Sequence, residues 1–145
     1  MIAKMNNCIQ RRLQEENLSE VSLRVAAHWL VEDGILKNSA GQVGFQLRRY
    51  FNYNDIFGSF KKGNFWYIRR IIDYQEILGA QDLSKIFGLK SRTSIYRKIK
   101  EEQIPFSRLR RKGIYFTTFD LMKWAIKKNY MSLYQKFQAF HKENE

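Results

Sequence analysis

The chain of 145 residues has room for one ordinary domain or two very small ones sharing a core. Hydrophobic residues make up 44% and aromatic residues 15%, which excludes a disordered basic tail. A formal net charge of +12 implies a polyanionic partner, either nucleic acid or an acidic membrane surface, and no apolar run approaches the roughly 18–20 residues that a membrane span requires.

Taken in chain order, Asn6–Glu16 is polar and is expected to fray into a short helix. Asn17 or Ser19 can cap a helix running through Leu36, with Val21, Val25, Trp29 and Leu30 at helical spacing and Gly34 as its stop. Val43–Tyr53 reads as a second helix, with Val43, Leu47 and Tyr50 or Phe51 inward. Aromatic and β-branched runs then flank Lys61-Lys62-Gly63-Asn64, which predicts a hairpin. The order repeats. Ala80–Phe87 is a short helix, Gly88-Leu89-Lys90 a turn, and Ser91 or Arg92 to Glu102 another helix. Ile104–Leu109 and Ile114–Thr117 flank the basic turn Arg110-Arg111-Lys112-Gly113. Leu47, Arg49, Phe51 and Ile56 match Ile95, Arg97, Ile99 and Ile104 at a constant offset of 48, as a degenerate internal duplication would. Thr117–Asp120 supplies a helix start, and Phe119, Met122, Ile126, Tyr130, Leu133, Phe137 and Phe140 follow at steps of three and four. That stripe predicts one long helix whose distal part packs on the first half or on a second copy of the chain.

The charge is localised. Residues 34–112 carry 17 basic and six acidic side chains, whereas residues 1–33 carry four and five. Within Leu83–Ile99 the apolar Leu83, Phe87, Leu89, Ile95 and Ile99 share the inner faces of two helices, with Ser84 small at their crossing. That leaves Lys90, Ser91, Arg92, Thr93, Tyr96, Arg97 and Lys100 outward, a set suited to phosphates and base edges in a major groove. The basic turn adds Arg108, Arg110, Arg111 and Lys112, and the first half offers Lys61, Lys62, Asn64, Arg48 and Arg49. Phe65, Trp66 and Tyr67 read as hairpin core rather than as base-stacking groups.

Residues Ile77–Trp124 resemble the winged helix-turn-helix of the excisionases and MerR-like regulators. The resemblance rests on Leu83–Ile99, on Ile104-Pro105-Phe106 and on Asp120-Leu121-Met122-Lys123-Trp124. It implies a recognition helix in the major groove and a basic wing reaching the adjacent minor groove or backbone. The turn from Gly88 to Ile95 is one residue longer than the family's usual spacing, which leaves open whether Arg92 or Thr93 leads into the groove.

The expected architecture is therefore mainly α with small β-hairpin wings. Residues 1–74 form a helical region with a basic hairpin, 75–128 a winged helix-turn-helix and 129–145 an amphipathic helical extension. The expected function is sequence-specific binding of double-stranded DNA without catalysis. It would serve a phage or mobile element as excisionase, regulator or origin-binding factor. The alternatives are a basic adaptor whose partner, or second copy, docks on Tyr130, Leu133, Phe137 and Phe140, and an RNA-binding protein. No nucleophile–base pair, phosphate-cradling glycine loop, metal cluster or cofactor motif is recognisable. With Cys8 the single cysteine, a reducing, cytoplasmic and nucleoid-associated setting is expected.

Overall fold

A computed structural model describes residues 2–37, 47–48, 55–90, 92–109 and 113–143, with Arg92, Thr93, Lys142 and Glu143 described by their backbone alone. The chain divides into two compact units, Met1–Tyr74 and Gln75–Glu145. Among the described residues there are six helices and two small antiparallel sheets of three strands each.

The first unit begins with α1 (Ile2–Glu15), which starts four residues before the short helix expected from Asn6. Met5, Ile9 and Leu13 recur every four residues and are fully buried. Asn6 and Gln10 are buried as well, because they bind backbone rather than water. Asn6 donates to the Asp55 carbonyl at 3.0 Å and accepts from the Phe57 amide at 2.7 Å. Gln10 donates to the Arg69 carbonyl at 3.1 Å and accepts from the Ile71 amide at 2.8 Å. A buried amide left unpaired is costly, so these bonds stitch the helix to both ends of the following hairpin.

The helix expected from Asn17 or Ser19 starts later. Residues Glu20–Ser22 form a strand, β1, and α2 spans Leu23–Glu32 with the Ser22 hydroxyl accepting from the Val25 amide at 3.3 Å. Val21 is thus a strand residue, and Val25 is 39% exposed instead of inward. Of the expected helix Val43–Tyr53 only Leu47 and Arg48 lie within the described residues; Leu47 is fully buried. The hairpin forms from β2 (Ser59–Lys62) and β3 (Phe65–Arg69), and β1 pairs on the far side of β3 to give the order β1-β3-β2.

The second unit has the same strand order. It runs β4 (Ile77–Gly79), α3 (Ala80–Phe87), α4 (Arg92–Glu102), β5 (Ser107–Arg108) and β6 (Ile114–Thr117), and its sheet is ordered β4-β6-β5. Val21 faces Ile68 in the first sheet as Leu78 faces Phe116 in the second. The first strands are therefore offset by 57 residues and the third strands by 48, so the intervening segment is nine residues longer in the first unit. Both opening strands, Glu20–Ser22 and Ile77–Gly79, are too short to show a period of two in sequence.

The single long C-terminal helix is not observed. Helix α5 (Thr118–Lys127) ends at Asn129, which takes φ +61°. The Asn129 amide bonds to the Ile126 carbonyl at 3.0 Å and the Tyr130 amide to that of Ala125 at 2.8 Å, a Schellman termination. Helix α6 (Met131–Glu143) then folds back on α5. Phe137 is fully buried in the second unit's core with Leu133, Tyr134 and Phe140 packed against it. The inward face of α5 is Leu121, Trp124 and Ala125, while Phe119 and Ile126, assigned inward by the stripe, are 48% and 57% exposed. The surface proposed for a partner is thus largely intramolecular core. No helix among the described residues is long and apolar enough to cross a membrane.

Candidate nucleic-acid interface

Helix α4 is oriented by its inner face. Ile95 and Ile99, four residues apart, are buried in the second unit's core at 0% and 7% exposure. Away from that face, Tyr96, Arg97 and Lys100 are exposed. Their spacing of three and four places them in one stripe on the side opposite the two isoleucines. The backbone of Arg92 and Thr93 forms the first turn of this helix. At its other end the Trp124 indole donates to the Glu102 carbonyl at 3.0 Å, and the Tyr130 hydroxyl donates to the Glu102 carboxylate, also at 3.0 Å. That bond to a carboxylate raises the Tyr130 phenol above its usual pKa. The helix is therefore held at both its face and its C-terminus.

The turn into α4 is set by Gly88 at φ +71°, a conformation costly for residues with a Cβ. Its amide bonds to the Lys85 carbonyl at 3.1 Å, and that of Leu89 to Ser84 at 2.9 Å. Ser84 is 7% exposed, and its counterpart at the 57-residue offset, Ala27, is also small and buried. Lys90 is exposed beyond this turn. In the hairpin, Arg108 is exposed with its guanidinium 5.5 Å from the Phe106 ring centre. Ser91, Arg110, Arg111 and Lys112 lie outside the described residues, as does Arg49 in the first unit.

The first unit presents Arg48, Lys61, Lys62 and Asn64 to solvent. By register Lys61 occupies the place of Arg108, and each is set over an aromatic ring, Trp66 at 5.8 Å in the case of Lys61. Lys62 also pairs with Glu20 at 3.4 Å. Two other cations here are neutralised: Arg12 bonds Asp33 at 2.8 Å and Glu32 at 2.9 Å, and Arg11 bonds Asp33 at 2.9 Å. The adjacent acids Glu32 and Asp33 are thereby accounted for as structural partners. Arg12 holds the Asp33 carboxyl below its ordinary range, helped by the Cys8 thiol, which donates to it at 2.9 Å. Burial, followed by that bond, pushes the Cys8 thiol up to about 12, so it is no nucleophile.

The second unit is different. It carries 15 basic and seven acidic residues, hence +8 of the chain's +12. Among the described residues Lys90, Arg97 and Lys100 take part in no ion pair. Their charge is directed outward.

Sequence reasoning placed Phe65, Trp66 and Tyr67 together in the hairpin core, and the structure divides them. Trp66 packs against the first unit's core, while Phe65 is 69% exposed on the other face of the sheet. Strand alternation carried that signal once the inward position of Ile68 was known. Comparison of the chain with protein families, curated proteins and solved structures found no match.

Proposed function

We propose that the second unit is a winged helix-turn-helix that binds double-stranded DNA without catalysing a reaction, with α4 in the major groove and the β5–β6 hairpin as its wing. The observation that carries the reading is α4 itself, anchored by Ile95 and Ile99 and bearing Tyr96, Arg97 and Lys100 on its free side. A helix of 11 residues fits a groove about 12 Å wide, with arginine and lysine matched to guanine edges or phosphates. The order helix, Gly88 turn, helix, hairpin is that of the excisionase and MerR-like group which the sequence resembles. The shared strand order of the two units supports reading the first as a degenerate second copy. Tandem copies suit an origin-binding or regulatory factor that grips an extended site. The adaptor reading loses support because Phe137 is enclosed.

Counterion release makes this testable. If about six cations of the second unit neutralise phosphates, log K falls with log salt at a slope of roughly −5. Fluorescence anisotropy with labelled random duplexes at several salt concentrations measures that slope. The Arg97→Ala, Lys100→Ala double variant should reduce its magnitude by about two. An unchanged slope and affinity would remove α4 from the interface. Selection from a random duplex pool should return a consensus, and tighter binding to RNA duplexes than to DNA would overturn the choice of nucleic acid.

A further inference from the structure

The outer face of the first sheet is built unlike an ordinary solvated face. Alternation puts Phe60 and Lys62 of β2 and Phe65, Tyr67 and Arg69 of β3 on one side, opposite the inward Trp66 and Ile68. Phe60 and Tyr67 are cross-strand partners with ring centres 5.8 Å apart and planes inclined by 26°. The Arg69 guanidinium lies 4.5 Å from the Phe60 ring centre, and the Lys62 ammonium 5.3 Å from that of Tyr67. Beside this floor Phe65 is left 69% exposed on the central strand. The second sheet serves as an internal control. At the registers of Phe60 and Arg69 it carries Ser107 and Thr117, and only the tyrosine is kept, as Tyr115.

We infer that this face binds an unpaired DNA strand, with a base stacked on Phe65 and the neighbouring phosphates met by Lys62 and Arg69. An exposed aromatic ring flanked by fixed cations is complementary to a base and its phosphates, and stacking is open to any base because every base has a π-face. A duplex cannot use the site, since its base faces are hidden within the stack. Spacing points the same way. Residues two apart on a strand stand about 6.6 Å from one another, roughly twice the 3.4 Å rise per nucleotide along a duplex strand. Bases seated on Phe65 and Tyr67 must therefore be drawn apart, as in an extended single strand. Glu20 lies on the same face opposite Arg69 and pairs with Lys62 at 3.4 Å, an exposed contact that Lys62 exchanges for a phosphate on binding. The assignment to DNA rather than RNA rests on the duplex-binding reading of the second unit; the stacking geometry does not.

The test uses the full chain and oligothymidylate carrying one 5-iododeoxyuridine, a photocrosslinker to stacked rings. Crosslinks are expected at Phe65 or Tyr67, and Phe65→Ala should weaken oligothymidylate binding about tenfold while leaving duplex binding by the same protein unchanged. Lys62→Ala and Arg69→Ala should each reduce the magnitude of the single-strand salt slope by about 0.7. Crosslinks confined to other residues, or a Phe65→Ala protein that binds oligothymidylate as before, would overturn the site. Binding of oligouridylate tighter than that of oligothymidylate would overturn the assignment to DNA. Failure of the duplex reading shows separately, as an Arg97→Ala, Lys100→Ala protein with unaltered duplex affinity.

Discussion

Replacing Phe137 by alanine separates a core helix from an interface helix. The side chain is fully buried among residues of the second unit. Removal of such a ring costs about 3–5 kcal/mol, transfer and cavity terms together. A unit spanning Gln75–Glu145 has a stability of about 4–11 kcal/mol at 0.05–0.15 kcal/mol per residue. The substitution thus removes about a quarter or more of it and lowers the melting temperature on the order of 20 °C. Ile126→Ala, at a site 57% exposed on the neighbouring helix, should change stability by about 0.5 kcal/mol or less. Calorimetry at two protein concentrations a hundredfold apart reads both quantities. Core packing within one chain predicts a large loss for Phe137→Ala and a wild-type melting temperature independent of concentration. A shift below about 4 °C, or a wild-type transition that rises with concentration, would refute the assignment of α6 to its own unit's core.

Two further substitutions probe the first unit. Gly58 has φ +80°, and a Cβ there would collide with the Arg69 carbonyl, so Gly58→Ala should cost at least about 2 kcal/mol in urea unfolding; a loss under 0.5 kcal/mol would show that the β2–β3 entry is differently built. Asp33 has a lowered folded-state pKa, caused first by its bond to Arg12 and then by Cys8. Its contribution is fully present above the unfolded value of about 3.9 and is lost as pH falls through the lower folded value. Asp33→Asn should accordingly be less stable at pH 7 and fall less steeply below pH 4, and parallel urea midpoints for the two proteins across that range would contradict the linkage.

Much of the second unit, and the hairpin of the first, was legible because the signals are local. Gly88 marks a left-handed turn, Ile95 and Ile99 mark a buried face, and Lys-Lys-Gly-Asn and the basic turn at 110–113 mark hairpins. Where reading failed, the cause was distance along the chain. Asn6 and Gln10 look like surface residues until their partners, 47 to 61 residues away, are known. The stripe from Phe119 to Phe140 read as one helix because Asn129 is a weaker stop signal than glycine, although it takes the same left-handed conformation. Phe65 was grouped with Trp66 and Tyr67 because a three-residue aromatic run conceals which of its members alternation turns outward.

The sequence by itself determined the charge and its concentration between residues 34 and 112, the two short helices on either side of Gly88 and the positions of both hairpins, since each depends on composition or on spacing within a few residues. Only the tertiary structure decided that two short strands, Glu20–Ser22 and Ile77–Gly79, complete the sheets. It likewise decided that α6 turns back to bury Phe137, and that Phe65 faces solvent beside fixed cations. Strand pairing and burial are properties of residues brought together from far apart, and no local pattern encodes them.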